Sequence, residues 1–520
     1  MKVFIGIELG STRIKAVAID QSGKPLASGG FDWENRFENS VWTYRLEDAW
    51  RGIQESLRLL FANYSEKNSG AVPEISGMGV SAMMHGYLPF DRDYNQLADF
   101  RTWRNTMTEF ESTQLTDLFK FKIPQRWSIA HAYHAVRSGE SHISDIKYLT
   151  TLAGYIHYKL TGENVVGIGE ASGMFPIDDN TSNYDLNKVE QYEKLVAEYN
   201  LPWNILDVLP KVLVAGDNAG YLTEEGAKLI DPSGKIKPGI PLCPPEGDAG
   251  TGMVATNSIE PGTGNISAGT SIFAVLVLEK ALKKFHKDLD ITSTPSGKPT
   301  AMVHCINGTG DLDAWINIFA EVQTLMGVTV DMTKLYSTLY NAALRGDSDG
   351  GGIVSVNYLA GEHRTGFSEG RPFVARTPES KFSLENLMRT LLLSSMATAR
   401  IGIEPLIVEE GIKLSKLVGH GGLFKTAVVG QKLMAGALNI PMAVMETAGE
   451  GGAWGIALLA AYSVVKDGGE TLEEFLNNKV FADAEITTIA PDPLDVEGFN
   501  VYLERYRAGL NIERAAVENL

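Results

Sequence analysis

Cysteine is scarce in this chain: 520 residues include only Cys243 and Cys305, far apart and in no metal-ligand spacing. A disulfide framework and a cysteine zinc site are both excluded, and a reducing, cytoplasmic setting is expected. Basic charge is also in deficit. Forty-six Lys and Arg stand against 64 Asp and Glu, for a net charge of −18, which disfavours nucleic acid or an anionic membrane as partner. Any phosphate bound here must be held locally, by backbone N–H groups, a metal or a few placed cations. The most apolar stretch, 454–465, is roughly a dozen residues, too short to span a bilayer, which takes about 20, and reads as a buried helix, so no membrane association is expected. Residues 1–7 enter an apolar strand with no basic segment and cleavage site, so export is not expected either. There is no His/Cys/Asp cluster with zinc spacing, no Walker A sequence, no Gly-x-Ser-x-Gly elbow and no helix-turn-helix at either end. Those absences remove P-loop, serine-hydrolase and repressor readings.

Length exceeds what a single core normally fills, so two large domains are expected, and the 44% hydrophobic content supports them. Residues 3–8 and 14–19 read as apolar strands joined by a Gly/Ser/Thr turn, and 264–268 and 272–278 repeat that device around Gly269-Thr270-Ser271. The second turn lies 259 residues (269 minus 10) after the first, about half the chain, which predicts two related halves rather than a short-period array. We place them at 1–256 and 257–520, with 257–264 as the crossover and a peripheral tail after about 467. Further expected elements are a helix at 46–63, a strand at 75–81, a helical stretch at 145–160 closing at Gly162, and a long helix at 384–409. A strand at 417–422 enters a Gly-rich loop, and a helix runs on to 438. Alternating strands and helices predict an α/β architecture.

Gly10-Ser11-Thr12 is a turn of small residues that exposes consecutive N–H groups and hydroxyls, suited to phosphate oxygens or simply to a hairpin. Glu8 before it can reach a phosphate-bound Mg²⁺ through water, and Lys15 lies on the outgoing strand; surface salt bridges are the plainer reading of both. Paired turns at Gly10 and Gly269 could close on a triphosphate. Gly419-His420-Gly421-Gly422 permits close approach of a ring or phosphate to backbone, whereas Gly449-Glu450-Gly451-Gly452 reads as packing. Asp248, in Glu246-Gly247-Asp248-Ala249-Gly250, is a candidate to accept the proton of an attacking sugar hydroxyl, or else a turn aspartate bonding its own backbone. Met84-His85-Gly86, with Trp103-Arg104-Asn105, could grip a polyol by hydrogen bonds and stacking; His85 alone would more simply be a core residue. Gly250-x-Gly252-x-x-Ala255 matches a dinucleotide fingerprint by accident, since no strand and acidic partner frame it.

In order, Gly6-Ile7-Glu8-Leu9-Gly10-Ser11-Thr12, Met84-His85-Gly86, Leu160-Thr161-Gly162-Glu163, Gly247-Asp248-Ala249, Gly269-Thr270-Ser271, and Gly421-Gly422 with Gln431 resemble the FGGY carbohydrate kinases. The resemblance spans about residues 1–465. It implies two ribonuclease-H-like, actin-like ATPase domains with a cleft between them, sugar on the N-terminal side and MgATP toward the C-terminal one. By the same resemblance Asp248 is the catalytic base; Met84, His85, Gly86, Trp103, Asn105 and Asp248 serve the sugar; and Glu8 and Asp248 serve Mg²⁺ through water. Gly10, Ser11, Thr12, Arg13 and Lys15 would flank the phosphates, Gly269, Thr270, Ser271 and Gly310 approach them from the other half, and Gly421, Gly422 and Thr426 lie near the adenosine. The Met-His-Gly run looks most like the xylulose kinases, making D-xylulose the first expected substrate. Another ketose or polyol of the L-ribulose type, or a sugar-binding regulator without catalysis, are the alternatives. Two departures stand out: Glu8 replaces the usual Asp, and Trp103-Arg104-Asn105 replaces Trp-x-Asp. The expected partner is a small sugar, and a homodimer is compatible with the sequence.

Overall fold

The computed structural model describes residues 2–445 and 451–520, so Gly449 and Glu450 of the second glycine cluster lie outside the described residues. The chain forms two compact units. The first comprises Met1–Glu260, Val277–Thr300 and Thr447–Ala484; the second comprises Pro261–Leu276, Ala301–Glu446 and Glu485–Leu520. Two later segments therefore return to the first unit, which a single cut at 256/257 does not express.

The sheet of the first unit runs Glu246–Gly247, Ile75–Ala82, Val3–Leu9, Arg13–Asp20, Pro25–Asp32. The last three strands form an antiparallel meander, while Ile75–Ala82 is parallel to both of its neighbours. Register assigns the faces. Gly29, Ala16, Ile7 and Val80 are successive cross-strand partners on one face; Gly6, paired with Val17 and Gly79, belongs to the other. Helix Leu46–Lys67 packs so close to the first face that a Cβ on Gly29 would overlap Ser56 O. Helix Gly451–Val465 covers the second: a Cβ on Gly6 would overlap Ala453 O, and one on Gly79 would lie 2.7 Å from Ile456 Cγ1. The glycines are thus what admits two helices to one sheet. A second core, around Trp127, Phe175 and Tyr192, holds helices Glu109–Phe119, Ser128–Arg137 and Leu186–Val196 together.

In the second unit, Gly264–Ala268 pairs antiparallel with Ile272–Val277 and parallel with Leu417–His420, which is parallel in turn to Met442–Met445. Pro299–Cys305 lies beside Ile272–Val277. Hairpin, third strand and two parallel strands repeat the order of the first unit, so the paired turns occupy equivalent loops, as the 259-residue spacing predicts.

Two expectations change. The stretch 145–160 is not one helix: Tyr148–Thr150 is a strand antiparallel to Leu88–Phe90, and the helix is Leu152–Thr161, capped by Thr151 and ended by Gly162 at φ +79°. The tail after 467 is not peripheral. Ile486–Ile489 pairs with Met442–Met445, and helix Pro493–Asn519 buries Phe499, Tyr502, Leu503 and Tyr506 on one stripe. That stripe rests near Leu384–Val408, where Tyr502 OH donates to Thr390 O and Arg389 pairs with Asp495. Among the described residues, Leu384–Val408 is the one helix long and apolar enough to cross a membrane, and most of its length is buried in this core.

Candidate active site

In the first unit the candidate residues gather at the C-terminal ends of the parallel strands, where open α/β sheets present their ligand-binding loops. Strand Glu246–Gly247 runs directly into helix Asp248–Ala255, placing Asp248 at its first position. Met84 N–H, from the loop after Ile75–Ala82, donates to Asp248 Oδ1 at 3.2 Å, and Ala249 N–H donates to the same oxygen at 2.9 Å. The carboxylate remains open to solvent. Crowding by surrounding protein nonetheless raises its carboxyl above the ordinary value, opposed by the Met84 and Ala249 N–H groups and by the Arg126 cation. Since the surface is accessible, that direction reflects limited hydration and not full enclosure. Gly247 is required: a Cβ there would lie 3.0 Å from Met84 Sδ and overlap Glu170 Oε2.

His85 and Gly86 sit at φ +73° and +98°. This strained corner is held by Gly86 N–H donating to Arg126 O at 3.0 Å and by Ser128 Oγ donating to Gly86 O at 2.6 Å. His85 stacks on Trp127, and its Nδ1 is 3.2 Å from Gly173 O. A carbonyl only accepts, which assigns the proton to Nδ1 and leaves Nε2 an acceptor. Burial, reinforced by Arg126, pushes the imidazole down to about 3, so it stays neutral at physiological pH. Arg126 itself is ion-paired with Asp290.

Glu8 accepts from Ala453 N–H at 3.1 Å, at the amino end of helix Gly451–Val465; Gly452 makes the room, since a Cβ there would be 2.5 Å from Glu8 Oε1. Burial pushes the Glu8 carboxyl up and the Asp248 carboxylate adds to it, against Ala453 N–H, Lys15 and Gly452 N–H. Lys15 is the cross-strand partner of Glu8. The Gly10-Ser11-Thr12 turn is tied down on all sides: Gly10 N–H donates to Arg13 O, Trp33 Nε1 to Gly10 O, and Tyr44 OH to Ser11 O. Trp103, 42% exposed, donates its indole N–H to Ser11 Oγ at 3.3 Å, bringing a sugar-site candidate to the phosphate turn. Arg13 points to solvent and pairs with Asp32 at 3.6 Å.

Asn105 departs from expectation. It is buried, its Oδ1 accepts from Trp42 N–H, and its Nδ2 donates to Trp42 O and Thr102 O. With both amide hydrogens committed to backbone, it positions the Trp103 loop and does not offer a donor to sugar.

In the second unit, Gly269, Thr270, Gly310 and Gly421 gather at one strand end. Gly308 N–H donates to Thr270 O at 2.7 Å, and Thr309 N–H to Gly269 O at 2.8 Å. Those bonds set helix Gly310–Leu325 beside the turn, with Thr270 Cγ2 3.9 Å from where a Gly310 Cβ would sit. Gly421, at φ +96°, approaches strand Gly264–Ala268 so closely that a Cβ would meet Ala268 O at 2.6 Å. Gly422 opens onto free space, and Thr426 follows on the same loop. Gln431 donates to Met442 O and Thr487 O, a purely internal role.

Sequence reasoning missed Arg126, Glu170 and the second-unit hub Asn307, whose Oδ1 accepts from Leu359 and Ala360 N–H while Asn357 Nδ2 donates to Gly308 O. Glu246, in the same run as Asp248, has no role assigned by sequence. Glu246 is buried and accepts from Glu170 N–H at 2.9 Å; burial pushes its carboxyl up to about 8 despite that bond and those from Gly169 and Gly247. Only Glu246 had a local signal, an acid two residues before Asp248.

Residues 3–254 match the N-terminal domain, and 264–464 the C-terminal domain, of the FGGY family of carbohydrate kinases. The chain belongs to that family. This FGGY kinase is 23% identical over 525 residues to the xylulose kinase of Haemophilus influenzae, covering 98% of this chain and 99% of the relative. Its fold matches the crystal structure of xylulose kinase from Rhodospirillum rubrum with a TM-score of 0.77 at 18% identity, over 98% of this chain and 99% of that one. Gluconate kinase from Lactobacillus acidophilus gives the same TM-score, 0.77, at 16% identity, over 98% of each chain. The two-domain α/β fold of the family is therefore present, and the FGGY kinase is an ATP-dependent carbohydrate kinase.

Proposed function

We propose that this FGGY kinase transfers the γ-phosphoryl group of ATP to a primary hydroxyl of a ketopentose, D-xylulose first, with Asp248 as base. The observation that carries this reading is the fixed carboxylate at the head of helix Asp248–Ala255, anchored by Met84 N–H next to the neutral His85. The hydroxyl proton passes to the Asp248 carboxylate as the sugar oxygen bonds to the γ-phosphorus; the bond from that phosphorus to the β–γ bridging oxygen breaks, and ADP leaves. His85 Nε2 accepts from a second sugar hydroxyl, and the Trp103 face stacks on the carbon skeleton. In the first unit the Gly10-Ser11-Thr12 turn, with Arg13 and Lys15, suits phosphate oxygens; in the second unit Gly269, Thr270, Ser271 and Gly310 offer the same chemistry. Gly421, Gly422 and Thr426 serve the adenosine.

Glu8 and Asp248 also suit a divalent cation. Each is a hard oxygen donor, and the Asp248 charge adds to burial in raising the Glu8 carboxyl, so the two carboxylates act on one another across the same site. Mg²⁺ there would neutralise phosphate charge, and Glu8 and Asp248 would hold it through water. A cytoplasmic setting, with ATP available and both buried cysteines reduced, belongs to the same reading.

A different ketose or polyol is favoured by one observation: Asn105, at the usual acid of the sugar site, is spent on the Trp42 and Thr102 backbone. A coupled ADP-release assay across ketopentoses, ketohexoses and polyols tests both readings. The largest kcat/KM on D-xylulose supports the first, a maximum elsewhere the second. No sugar-dependent turnover on any of them defeats both and leaves a sugar-binding regulator.

A further inference from the structure

The first unit contains a cavity of about 740 Å³ that no residue of the Asp248 cluster or of the phosphate turns lines. Its volume falls in the range of small-molecule sites. Its lining carries seven lysines, Lys120, Lys122, Lys188, Lys280, Lys283, Lys284 and Lys298. Four carboxyls, Asp178, Asp179, Asp185 and Glu279, oppose these seven lysines. In a chain with a net charge of −18, this is a local reversal of sign.

Part of this acidic lining is already engaged within the protein. Asp185 caps helix Leu186–Val196 through Asn187 and Lys188 N–H and pairs with Lys188 Nζ. Asp178 accepts from Asn180 N–H and Nδ2, both at 3.0 Å. Asp179 is pushed up to about 6 by burial and by the neighbouring Asp178 carboxylate, against Lys188, so it carries less than full charge just below neutrality. Lys283 and Lys284 already interact within the protein. The weight therefore falls on Lys120, Lys280 and Lys298, whose side chains are exposed at the cavity walls. Lysine is a compact point charge on a flexible stem, suited to a phosphate group. Ser293 and Thr292 add hydroxyls to the same lining.

We propose that this lysine-lined cavity binds a small molecule bearing a dianionic phosphate group, at a site separate from the one that holds the nucleotide phosphates. Inorganic phosphate and a phosphorylated pentulose share that chemistry. The inference does not depend on which sugar is the substrate.

The test titrates inorganic phosphate, then a pentulose 5-phosphate, into the full chain by calorimetry at low salt with MgADP saturating, so that the phosphate turns are occupied. The same titrations use K280Q/K298Q, and thermal melting checks that this variant is folded. Saturable phosphate binding that survives MgADP, weakens about tenfold or more in the variant, and falls with added salt is the expected result. Tighter binding of the pentulose 5-phosphate than of phosphate, lost in the variant, would assign the sugar phosphate as the source; equal binding would assign the free anion. Binding abolished by MgADP, equal binding in a folded variant, or no saturable binding of either probe would each overturn the proposal.

Discussion

Replacing Asp248 with Asn separates chemistry from folding better than any other change at the site. The carboxamide keeps an oxygen where Oδ1 accepts from Met84 N–H at 3.2 Å and Ala249 N–H at 2.9 Å, so both anchoring bonds survive. It also removes one charge from a neighbourhood holding Glu8, Glu170 and Glu246, where Asp248 itself raises the Glu8 and Glu170 carboxyls. Stability should therefore shift by no more than about 1 kcal/mol. What the amide cannot do is take a proton. Loss of a general base lowers kcat about 10²–10⁴-fold, or about 2.7–5.4 kcal/mol in the barrier. Sugar-dependent ADP release, with thermal unfolding on the same preparation, reads both quantities. Because the Asp248 carboxyl is raised, the wild-type kcat/KM should fall on the acid side at a pH above the ordinary aspartate value of about 3.9, and that limb should vanish from whatever activity D248N retains. A folded variant with near-wild-type kcat would refute the assignment of the base.

Gly247→Ala sets a methyl against Met84 and Glu170, and should cost about 1–3 kcal/mol in denaturant unfolding while lowering kcat, because the displaced strand carries Asp248 with it. Glu246→Gln tests the buried carboxyl. With its folded value near 8 and an unfolded value near 4.5, the wild type has this group's stabilisation in full below the unfolded value and loses it as pH rises toward 8. The variant should flatten that part of the stability–pH curve, and an unchanged curve would show that Glu246 does not titrate there. Asn105→Asp removes both donors to Trp42 O and Thr102 O and should destabilise by about 1–3 kcal/mol, with KM for sugar rising through displacement of Trp103. An improved KM at unchanged stability would instead restore Asn105 to the sugar-contacting set.

Much of the architecture was legible in local sequence because its signals are short-range. The apolar runs 3–8 and 14–19 flank a turn of small residues, and the same device 259 residues later marks an equivalent loop in the second unit. The capped helix ends, such as Gly162 at φ +79°, follow the same logic. Local periodicity failed where pairing partners are distant. Tyr148–Thr150 is a strand because Leu88–Phe90 supplies its hydrogen bonds, and the tail beyond 467 looked peripheral because its aromatic stripe has meaning only against elements more than a hundred residues earlier.

The candidate site divides in the same way. Sequence by itself determined the residue types and their order, from Glu8 and the Gly10-Ser11-Thr12 turn through Met84-His85-Gly86 to Asp248 and Gly269-Thr270-Ser271, since small turn residues and lone acids announce themselves without context. Tertiary structure alone decided what each can do. Met84 N–H reaches Asp248 across 164 residues, Ala453 N–H reaches Glu8 across 445, and Asn105 is claimed by a backbone 63 residues away. Charge state and hydrogen-bonding capacity depend on burial and on partners brought together by folding, and a linear sequence carries neither.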